Sequence, residues 1–134
     1  MRIFVAALFL AAGTAFAGNQ YVLENKFLSR VVSTEGGTLR TVEIVNKRAG
    51  TSAKPTSALE FRLRLSRGTD KPNTQFTLTS VDFKVVAATP GKEALVFQLE
   101  NAARQLRVEV RYELAPGDFY LRKRLTITTA KPVT

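Results

Sequence analysis

The chain has 134 residues, a formal net charge of +9 and 45% hydrophobic residues, but neither histidine nor cysteine. This length suits one domain with one hydrophobic core. Without histidine or cysteine, the sequence excludes the commonest general base, a zinc site and a thiol nucleophile. A disulfide framework is excluded as well, so the core must hold the fold unaided.

The first 17 residues are typical of a secretory signal peptide. Met1-Arg2 is a short basic start, Ile3 to Ala12 is an uncharged apolar run, and Ala15-Phe16-Ala17 matches the small-x-small rule for cleavage. We therefore predict a signal-peptide helix at residues 1–17, a secreted or periplasmic location in a bacterium, and no stable membrane insertion after cleavage. A retained anchor is the alternative, which the shortness of the apolar run disfavours. A lipoprotein is excluded because no cysteine can be acylated.

Three short strands are predicted at the start of the mature chain: Tyr21–Asn25, Phe27–Ser33 and Leu39–Val45. Between the second and the third, Thr34-Glu35-Gly36-Gly37 is predicted to turn, because two glycines accept positive φ. The next segment, Asn46–Ser57, is polar, contains glycine and proline and has no period, so it is predicted to be a loop. Its length is typical of a functional or a mobile loop.

Alternation resumes in Ala58–Ser66. Its apolar residues Leu59, Phe61, Leu63 and Leu65 are predicted to face the core, and Glu60, Arg62 and Arg64 to face solvent.

A second loop, Arg67–Asn73, leads to the strand Phe76–Ala87, with Val81, Phe83 and Val85 on one face. After a turn at Thr89–Lys92, a strand with Leu95, Phe97 and Leu99 returns. Pairing Phe83 with Phe97 and Val85 with Leu95 requires an odd loop, which predicts a β-bulge near Gly91.

The clearest pattern is the segment Gln105–Thr129, a predicted hairpin with a dry and a wet face. Its first strand alternates the apolar residues Leu106, Val108, Val110, Tyr112 and Leu114 with arginine and glutamate. Ala115-Pro116-Gly117-Asp118 is predicted to be the four-residue turn. The resulting pairs are Tyr112–Leu121, Lys123–Val110, Val108–Leu125 and Leu106–Ile127 on the dry face, and Glu113–Tyr120, Arg111–Arg122 and Glu109–Arg124 on the wet face. Asn101–Arg104 is predicted to be the turn that leads into this hairpin. The hairpin is the last predicted regular element of the chain.

Lys123 is the one exception in this hairpin, because it falls on the apolar face. Two interpretations are open. Either the strand twists or ends there and the amine reaches water, or the amine is buried against a carboxylate from a segment absent here, since an unpaired buried ammonium would be too costly.

Seven or eight short strands at regular spacing predict an all-β antiparallel fold over residues 18–134, and we favour a sandwich over a barrel. The segment Ala130–Thr134 follows a strand directly and shows no cap, tail or turn. We therefore expect this domain to continue beyond Thr134.

No constellation of catalytic residues is evident, and no metal or other cofactor is predicted. Glu109 and Glu113 share a face, but four strand residues separate them by about 13 Å, and arginines interleave with them. A glycosidase needs two carboxylates that face one site, so this pair is better interpreted as a charged surface. Asp70 and Asp118 lie in predicted turns, where aspartate commonly forms the turn.

The excess of basic residues favours anionic surroundings such as wall polymers or acidic glycans, although a basic surface with no dedicated partner is the simpler interpretation. Nucleic acid is not a predicted partner. The outward arginines Arg62, Arg64, Arg107, Arg111, Arg122 and Arg124 have no exposed aromatic platform beside them in the pattern.

Several motifs resemble one known family. Asn25-Lys26-Phe27-Leu28-Ser29-Arg30, then Gly36-Gly37-Thr38-Leu39, then Asn46-Lys47 is similar to the opening of the N-terminal domains of secreted α-galactosidase-like (melibiase-type) glycoside hydrolases. The segment Tyr112–Lys123 is similar to a hairpin that follows in those domains.

The resemblance implies a galactose-mutarotase-like β-supersandwich, represented here by its first half. In that family the sandwich packs against a (β/α)8 barrel that carries both catalytic carboxylates, and none of those positions is present in this chain. Mutarotases of the same fold use a histidine acid, which this chain lacks.

We therefore expect a non-catalytic module of a secreted carbohydrate-active hydrolase, with a carbohydrate as partner through the parent enzyme. The two loops supply candidates for the rim of a glycan site: Lys47, Arg48, Lys54, Arg67, Asp70 and Lys71. A stand-alone glycan-binding or wall-polymer-binding module is the alternative, and a purely structural exported protein is a third. The aromatic residues mostly alternate into the predicted core, which favours the accessory module over a stand-alone binder.

Overall fold

The computed structural model of the protein describes residues 19–57, 59–66 and 75–129. The described chain is all-β and antiparallel and has a sandwich-like arrangement, so the predicted fold class is confirmed. Its ten strands are β1 (Gln20–Glu24), β2 (Leu28–Ser33), β3 (Arg40–Asn46), β4 (Thr51–Ala53), β5 (Arg62–Ser66), β6 (Gln75–Thr79), β7 (Lys84–Pro90), β8 (Ala94–Asn101), β9 (Leu106–Glu113) and β10 (Arg122–Thr129). The predicted signal peptide, the loop Arg67–Asn73 and the segment Ala130–Thr134 lie outside the described residues.

The strands form three sheets in which chain neighbours are also neighbours in space. The N-terminal sheet has the order β1-β2-β3-β4, the C-terminal sheet has the order β10-β9-β8-β7, and β5 pairs with β6 in a small sheet. Both four-stranded sheets are therefore antiparallel meanders. Every strand pairs with the strand before or after it, as expected for short connections.

One hydrophobic core lies between the sheets. It contains Leu23, Val32, Leu39, Phe61, Leu63, Leu78, Phe83, Leu95, Phe97, Leu99, Val108, Val110, Tyr112 and Leu114. Edge-to-face aromatic pairs connect the layers, since Tyr21 of the N-terminal sheet lies 5.2 Å from Phe97 of the C-terminal sheet, measured between ring centroids. The alternation that predicted the inward residues of β8 and β9 is confirmed. The positive φ predicted for Gly36 and Gly37 is also found, at 70° and 83°.

The described chain has more strands than the seven or eight predicted. The predicted loop Asn46–Ser57 contains β4, which pairs with β3 through Ile44–Ala53, Val45–Ser52 and Asn46–Thr51. The predicted strand Phe76–Ala87 is divided into β6 and β7 by a 3-10 turn at Ser80–Asp82. This turn points Val81 outward, with 48% of its surface exposed, whereas Phe83 is buried, so the prediction that Val81 shares a face with Phe83 and Val85 is wrong.

The hairpin β9–β10 forms, but its predicted register is wrong by two residues. Lys123 lies opposite Tyr112, where Leu121 was expected, and Ile127 lies opposite Val108, where Leu125 was expected. The turn Ala115–Asp118 does form, with the Asp118 amide bonded to the Ala115 carbonyl at 3.1 Å. Pairing nevertheless resumes only at Arg122, so the connection is longer than the turn. A shift of two preserves the face of every side chain.

The pairing of β7 with β8 also differs from the prediction. Val85 lies opposite Leu99, and the register shifts between Val85 and Ala87. A β-bulge therefore exists, but it lies at Val86 and not near Gly91. Val86 is left unpaired and 52% exposed, as is usual for the extra residue of a bulge.

Glu60 is the largest departure from the predicted pattern, because its side chain is buried and not solvent-facing. The side chain is only 4% exposed. Strand β5 begins at Arg62, and the chain bends at Glu60, so the period of two does not extend to Glu60. The bend is fixed by two bonds to Ser80: the Glu60 amide donates to Ser80 Oγ at 2.7 Å, and the Ser80 amide donates to the Phe61 carbonyl at 3.1 Å. Leu59 is consequently exposed and does not face the core.

The buried carboxylate of Glu60 accepts hydrogen bonds from both large sheets. From the N-terminal sheet, Thr41 donates its amide at 3.0 Å and its hydroxyl at 2.8 Å, and Arg30 donates Nη2 at 3.2 Å. From the C-terminal sheet, the Tyr112 hydroxyl donates at 2.5 Å. Burying a carboxylate is unfavourable unless hydrogen bonds and cations compensate it, so this cluster stabilises the fold only while its members stay together.

Lys123 completes this cluster, in an arrangement that combines parts of both interpretations. Its amine donates to the Glu60 carbonyl at 2.7 Å and lies 3.7 Å from the Glu60 carboxylate. The lysine is thus paired with a carboxylate, as the second interpretation required, but that carboxylate belongs to this chain and not to an absent segment. The side chain is 29% exposed, so the amine is only partly shielded from water.

The cluster shifts the pKa values of three of its members. Burial acts to raise the pKa of Glu60, but the hydrogen bonds from Tyr112 and Thr41 and the charge of Lys123 outweigh it, so the pKa lies below its ordinary value of 4.5. Burial and the adjacent Glu60 carboxylate raise the pKa of Tyr112 far above its ordinary value. Burial lowers the pKa of Lys123, although Glu60 opposes that shift.

These shifts predict a loss of stability in acid. The native Glu60 carboxyl keeps its charge to a lower pH than the unfolded one, so its contribution is complete above its ordinary pKa of 4.5 and is lost as pH falls through the native pKa. We expect the free energy of unfolding, measured in urea between about pH 3 and pH 7, to fall less steeply with acid in Glu60→Gln than in the unaltered protein. Glu35→Gln is the control, because that carboxylate is exposed in the turn between β2 and β3 and does not belong to the cluster. An unchanged pH dependence in Glu60→Gln would contradict this account.

Candidate functional site

An open groove lies at one end of the sandwich, where three connections meet. They are the β1–β2 turn, the β3–β4 turn and the loop between β9 and β10. The groove has a volume of about 440 Å³ and is lined by Phe27, Leu28, Asn46, Arg48, Ala49 and Phe119. We call it the aromatic groove. Concave sites of this size that combine apolar walls with a few polar groups are typical of ligand binding.

Asn25 fixes two sides of the aromatic groove relative to each other. Its Oδ1 accepts the amides of Phe27 at 2.8 Å and Leu28 at 2.9 Å, which closes the β1–β2 turn. Its Nδ2 donates to the carbonyls of Ala115 and Asp118, both at 2.8 Å. One side chain therefore ties the turn that carries Phe27 to the loop that carries Phe119.

Two phenylalanines form the apolar surface of the groove. The rings of Phe27 and Phe119 have centroids 4.4 Å apart and are tilted by 54°. Phe119 is 59% exposed and is followed by Tyr120, which is 50% exposed. A large aromatic side chain left this far in water loses the free energy that burial would supply, so exposed aromatic residues are candidates for ligand contact.

Arg48 lies across both rings. Its guanidinium carbon is 5.0 Å from the Phe119 ring centroid and 5.7 Å from the Phe27 ring centroid. The β3–β4 turn holds it there, because Asn46 Oδ1 accepts the amides of Arg48 and Ala49 at 3.1 Å each. Gly50 then adopts a φ of 69°, a conformation that suits glycine. The groove thus combines aromatic faces with a positioned cation.

The structure separates the six predicted rim residues. Arg48 lines the aromatic groove, whereas Lys47 donates from Nζ to Glu24 at 2.7 Å and to the Asn25 carbonyl at 2.8 Å, so it braces the neighbouring turn. Lys54 is exposed just after β4 and does not line the groove. Arg67, Asp70 and Lys71 lie outside the described residues.

Sequence reasoning missed Phe27, Phe119 and the bridging role of Asn25. The sequence does contain a signal for Phe119, because Phe119 and Tyr120 are adjacent aromatic residues directly after a Pro-Gly-Asp turn. Adjacent side chains of an extended segment point in opposite directions, so both cannot face one core. The expectation that the aromatic residues mostly enter the core holds for Phe61, Phe83 and Phe97 but not for these two.

The carboxylates offer no comparable site in the described part of the chain. Glu60 is enclosed and its oxygens are already bonded. Glu113 pairs with Arg111 at 2.7 Å and with Arg124 at 3.1 Å, and Glu109 accepts from Gln98 at 2.9 Å. These contacts agree with the interpretation of Glu109 and Glu113 as a charged surface.

Neither a cluster of metal-binding side chains nor a membrane-spanning helix is found among the described residues. Across residues 19–57, 59–66 and 75–129, no group of three or more acidic, histidine or cysteine residues could hold a metal ion. In the same ranges no helix is both long and apolar enough to cross a bilayer.

A second groove, of about 530 Å³, lies at the opposite end. Its lining comes from Gly36–Thr38, Val81–Lys84 and Glu100–Ala103. The only ring there belongs to Phe83, which is 3% exposed, and Glu100 is paired with Arg107 at 2.7 Å. This groove therefore has a cation, Lys84, in its lining but lacks the accessible ring faces of the aromatic groove.

Comparison with known proteins found no family model, curated protein or solved structure that matches the chain. The resemblance to α-galactosidase-like hydrolases therefore remains a prediction from the sequence motifs.

We expect Asn25→Ala to open the aromatic groove and to lower the free energy of unfolding by about 1–3 kcal/mol, because it removes bonds to four partly buried backbone groups. Nuclear Overhauser contacts between the rings of Phe27 and Phe119 should weaken in this variant. Asn101→Ala is a matched control, since Asn101 also bridges two loops, at the opposite end. Unaltered ring contacts in Asn25→Ala would show that Asn25 does not position the groove.

Proposed function

We propose that this chain is a non-catalytic β-sandwich module of a secreted, α-galactosidase-like carbohydrate-active hydrolase, and that the aromatic groove contacts the glycan. The observation that carries the proposal is the contact between half-buried Phe27 and exposed Phe119, with Arg48 across both rings. The predicted signal peptide supports an extracellular or periplasmic setting, in which glycans are abundant.

The groove has the chemical complementarity that a sugar ring requires. A pyranose has faces made of C–H groups and edges made of hydroxyls. Aromatic faces are electron-rich and attract positively polarised C–H groups, while Arg48 supplies several N–H donors to hydroxyl oxygens. Phe119 is exposed enough to meet a ligand directly.

The open edge of the C-terminal sheet supports the accessory role. Strand β10 is an outer strand of that sheet, and its inward residues Leu125 and Ile127 are 36% and 42% exposed. An uncovered edge strand with apolar residues is a common site of pairing or packing with further protein. We propose that the catalytic domain of the parent hydrolase packs against this edge, consistent with the resemblance described above.

A stand-alone glycan-binding or wall-polymer-binding module is the second candidate. It is favoured by the fact that Phe27, Arg48 and Phe119 all belong to this chain, so the groove needs no second domain to form. It is also favoured by the exposure of Phe119 and Tyr120, because a stand-alone binder needs aromatic residues outside the core. The intact mass of the native secreted protein separates the candidates, because a hydrolase would be far heavier than the 14.8 kDa of this chain.

We expect Phe119→Ala to weaken saccharide binding by about tenfold or more, as the loss of an aromatic contact of roughly 1.5–3 kcal/mol would produce. The measurement is affinity gel electrophoresis of the full chain through a panel of neutral and acidic plant and bacterial polysaccharides. Tyr120→Ala is the matched control, because it removes an equally exposed ring that does not line the groove. The proposal fails if no polysaccharide retards the protein, or if both variants lose binding equally.

A further inference from the structure

Arg48 differs from its neighbour Lys47 because its charge is not neutralised. No carboxylate of the described residues lies within ion-pair distance of its guanidinium, whereas Lys47 beside it is paired with Glu24 at 2.7 Å. The guanidinium instead lies over the rings of Phe27 and Phe119. A guanidinium that stacks on a ring leaves the N–H groups along its edges available to a ligand.

A second cation reinforces the positive potential. Lys26 Nζ lies 5.1 Å from the Phe27 ring centroid, on the ring that Arg48 also contacts. Two acidic residues belong to the connections at this end, and each acts on another cation: Glu24 is paired with Lys47 at 2.7 Å, and the charge of Asp118 acts on Arg122. The formal net charge of the chain, +9, adds a general attraction for polyanions.

We infer that the aromatic groove selects acidic saccharides, with Arg48 binding the carboxylate of a uronic acid residue while Phe119 contacts the sugar ring. This inference rests on the proposed function, since it names the class of glycan that the same groove takes. The planar guanidinium matches a carboxylate through two parallel N–H···O bonds, and such charge-assisted pairs are about twice as strong as neutral hydrogen bonds.

The arrangement of the groove also favours a carboxylate over a diffuse attraction to any polyanion. Contact with two rings restricts the guanidinium of Arg48, and the bond from the Arg48 amide to Asn46 fixes the backbone that carries it. A side chain that is ordered before binding loses less conformational entropy when the ligand arrives. A guanidinium restrained in this way binds most strongly to a planar acceptor with two oxygens, such as a carboxylate. An attraction due to net charge alone would not distinguish carboxylate from sulfate.

The test compares three polymers with the full chain at one salt concentration: polygalacturonate, a neutral galactan and dextran sulfate. We expect polygalacturonate to bind at least about tenfold more tightly than either of the others, and Arg48→Gln to remove most of that preference. Arg48→Lys keeps the charge but not the fork, so it should recover only part of the affinity. The matched control is Arg104→Gln, because Arg104 also stacks on a phenylalanine, 4.1 Å from the Phe76 ring centroid, away from the groove.

The binding results distinguish failure of this inference from failure of the proposed function. Equal affinity for galactan and polygalacturonate, or an unchanged preference in Arg48→Gln, would overturn the inference and leave the proposed glycan contact standing. Equal affinity for dextran sulfate, or full recovery in Arg48→Lys, would replace the carboxylate fork by general charge attraction and also overturn it. No binding to any of the three polymers or to the wider polysaccharide panel would reject the proposed function, and this inference with it.

Discussion

The fold depends on one buried charge, the carboxylate of Glu60. Thr41 and Arg30 reach it from the N-terminal sheet and Tyr112 and Lys123 from the C-terminal sheet, while Glu60 itself lies just before the small sheet. The three sheets of a small sandwich without disulfides could otherwise slide over an apolar interface, because hydrophobic contact is not directional. The hydrogen bonds to a buried carboxylate are strongly directional, so few alternative arrangements of the sheets would satisfy them. The cluster therefore determines how the sheets are aligned as well as how strongly they adhere.

The aromatic groove depends on that alignment. Its rings come from different sheets, since Phe27 belongs to the β1–β2 turn and Phe119 to the loop between β9 and β10. Asn25 bridges these connections locally. The Glu60 cluster supports the same alignment from the interior, since it joins β2 and β3 to β9 and β10. A ligand that contacts both rings would in turn favour the docked arrangement of the sheets.

How much the sequence predicted differs between the elements. The strict alternation of Leu95–Leu99 and Leu106–Leu114 predicted β8 and β9 and their inward faces, because both strands lie in the middle of a sheet and one face is fully covered. Alternation failed at Glu60, where a bend held by Ser80 ends the extended geometry on which period-two reasoning relies. The register of β10 was wrong because the connection is held from outside, by Asn25, and local turn preferences do not contain that contact. The groove was mostly missed for the same reason, because residues from three separate connections form it. Arg48 is the only one of its lining residues that the sequence analysis named as a rim candidate.

The most direct test of the central claim is the free energy of unfolding of Glu60→Gln and Tyr112→Phe, measured singly and together in urea near neutral pH. The glutamine would keep the shape of the side chain but leave Arg30 and Lys123 without their anion. We expect the single change at Glu60 to cost about 3–5 kcal/mol, and the two changes together to cost clearly less than the sum of the single changes, because both break the same cluster. A small loss in Glu60→Gln, or additive losses in the pair, would contradict the account that this carboxylate aligns the sheets.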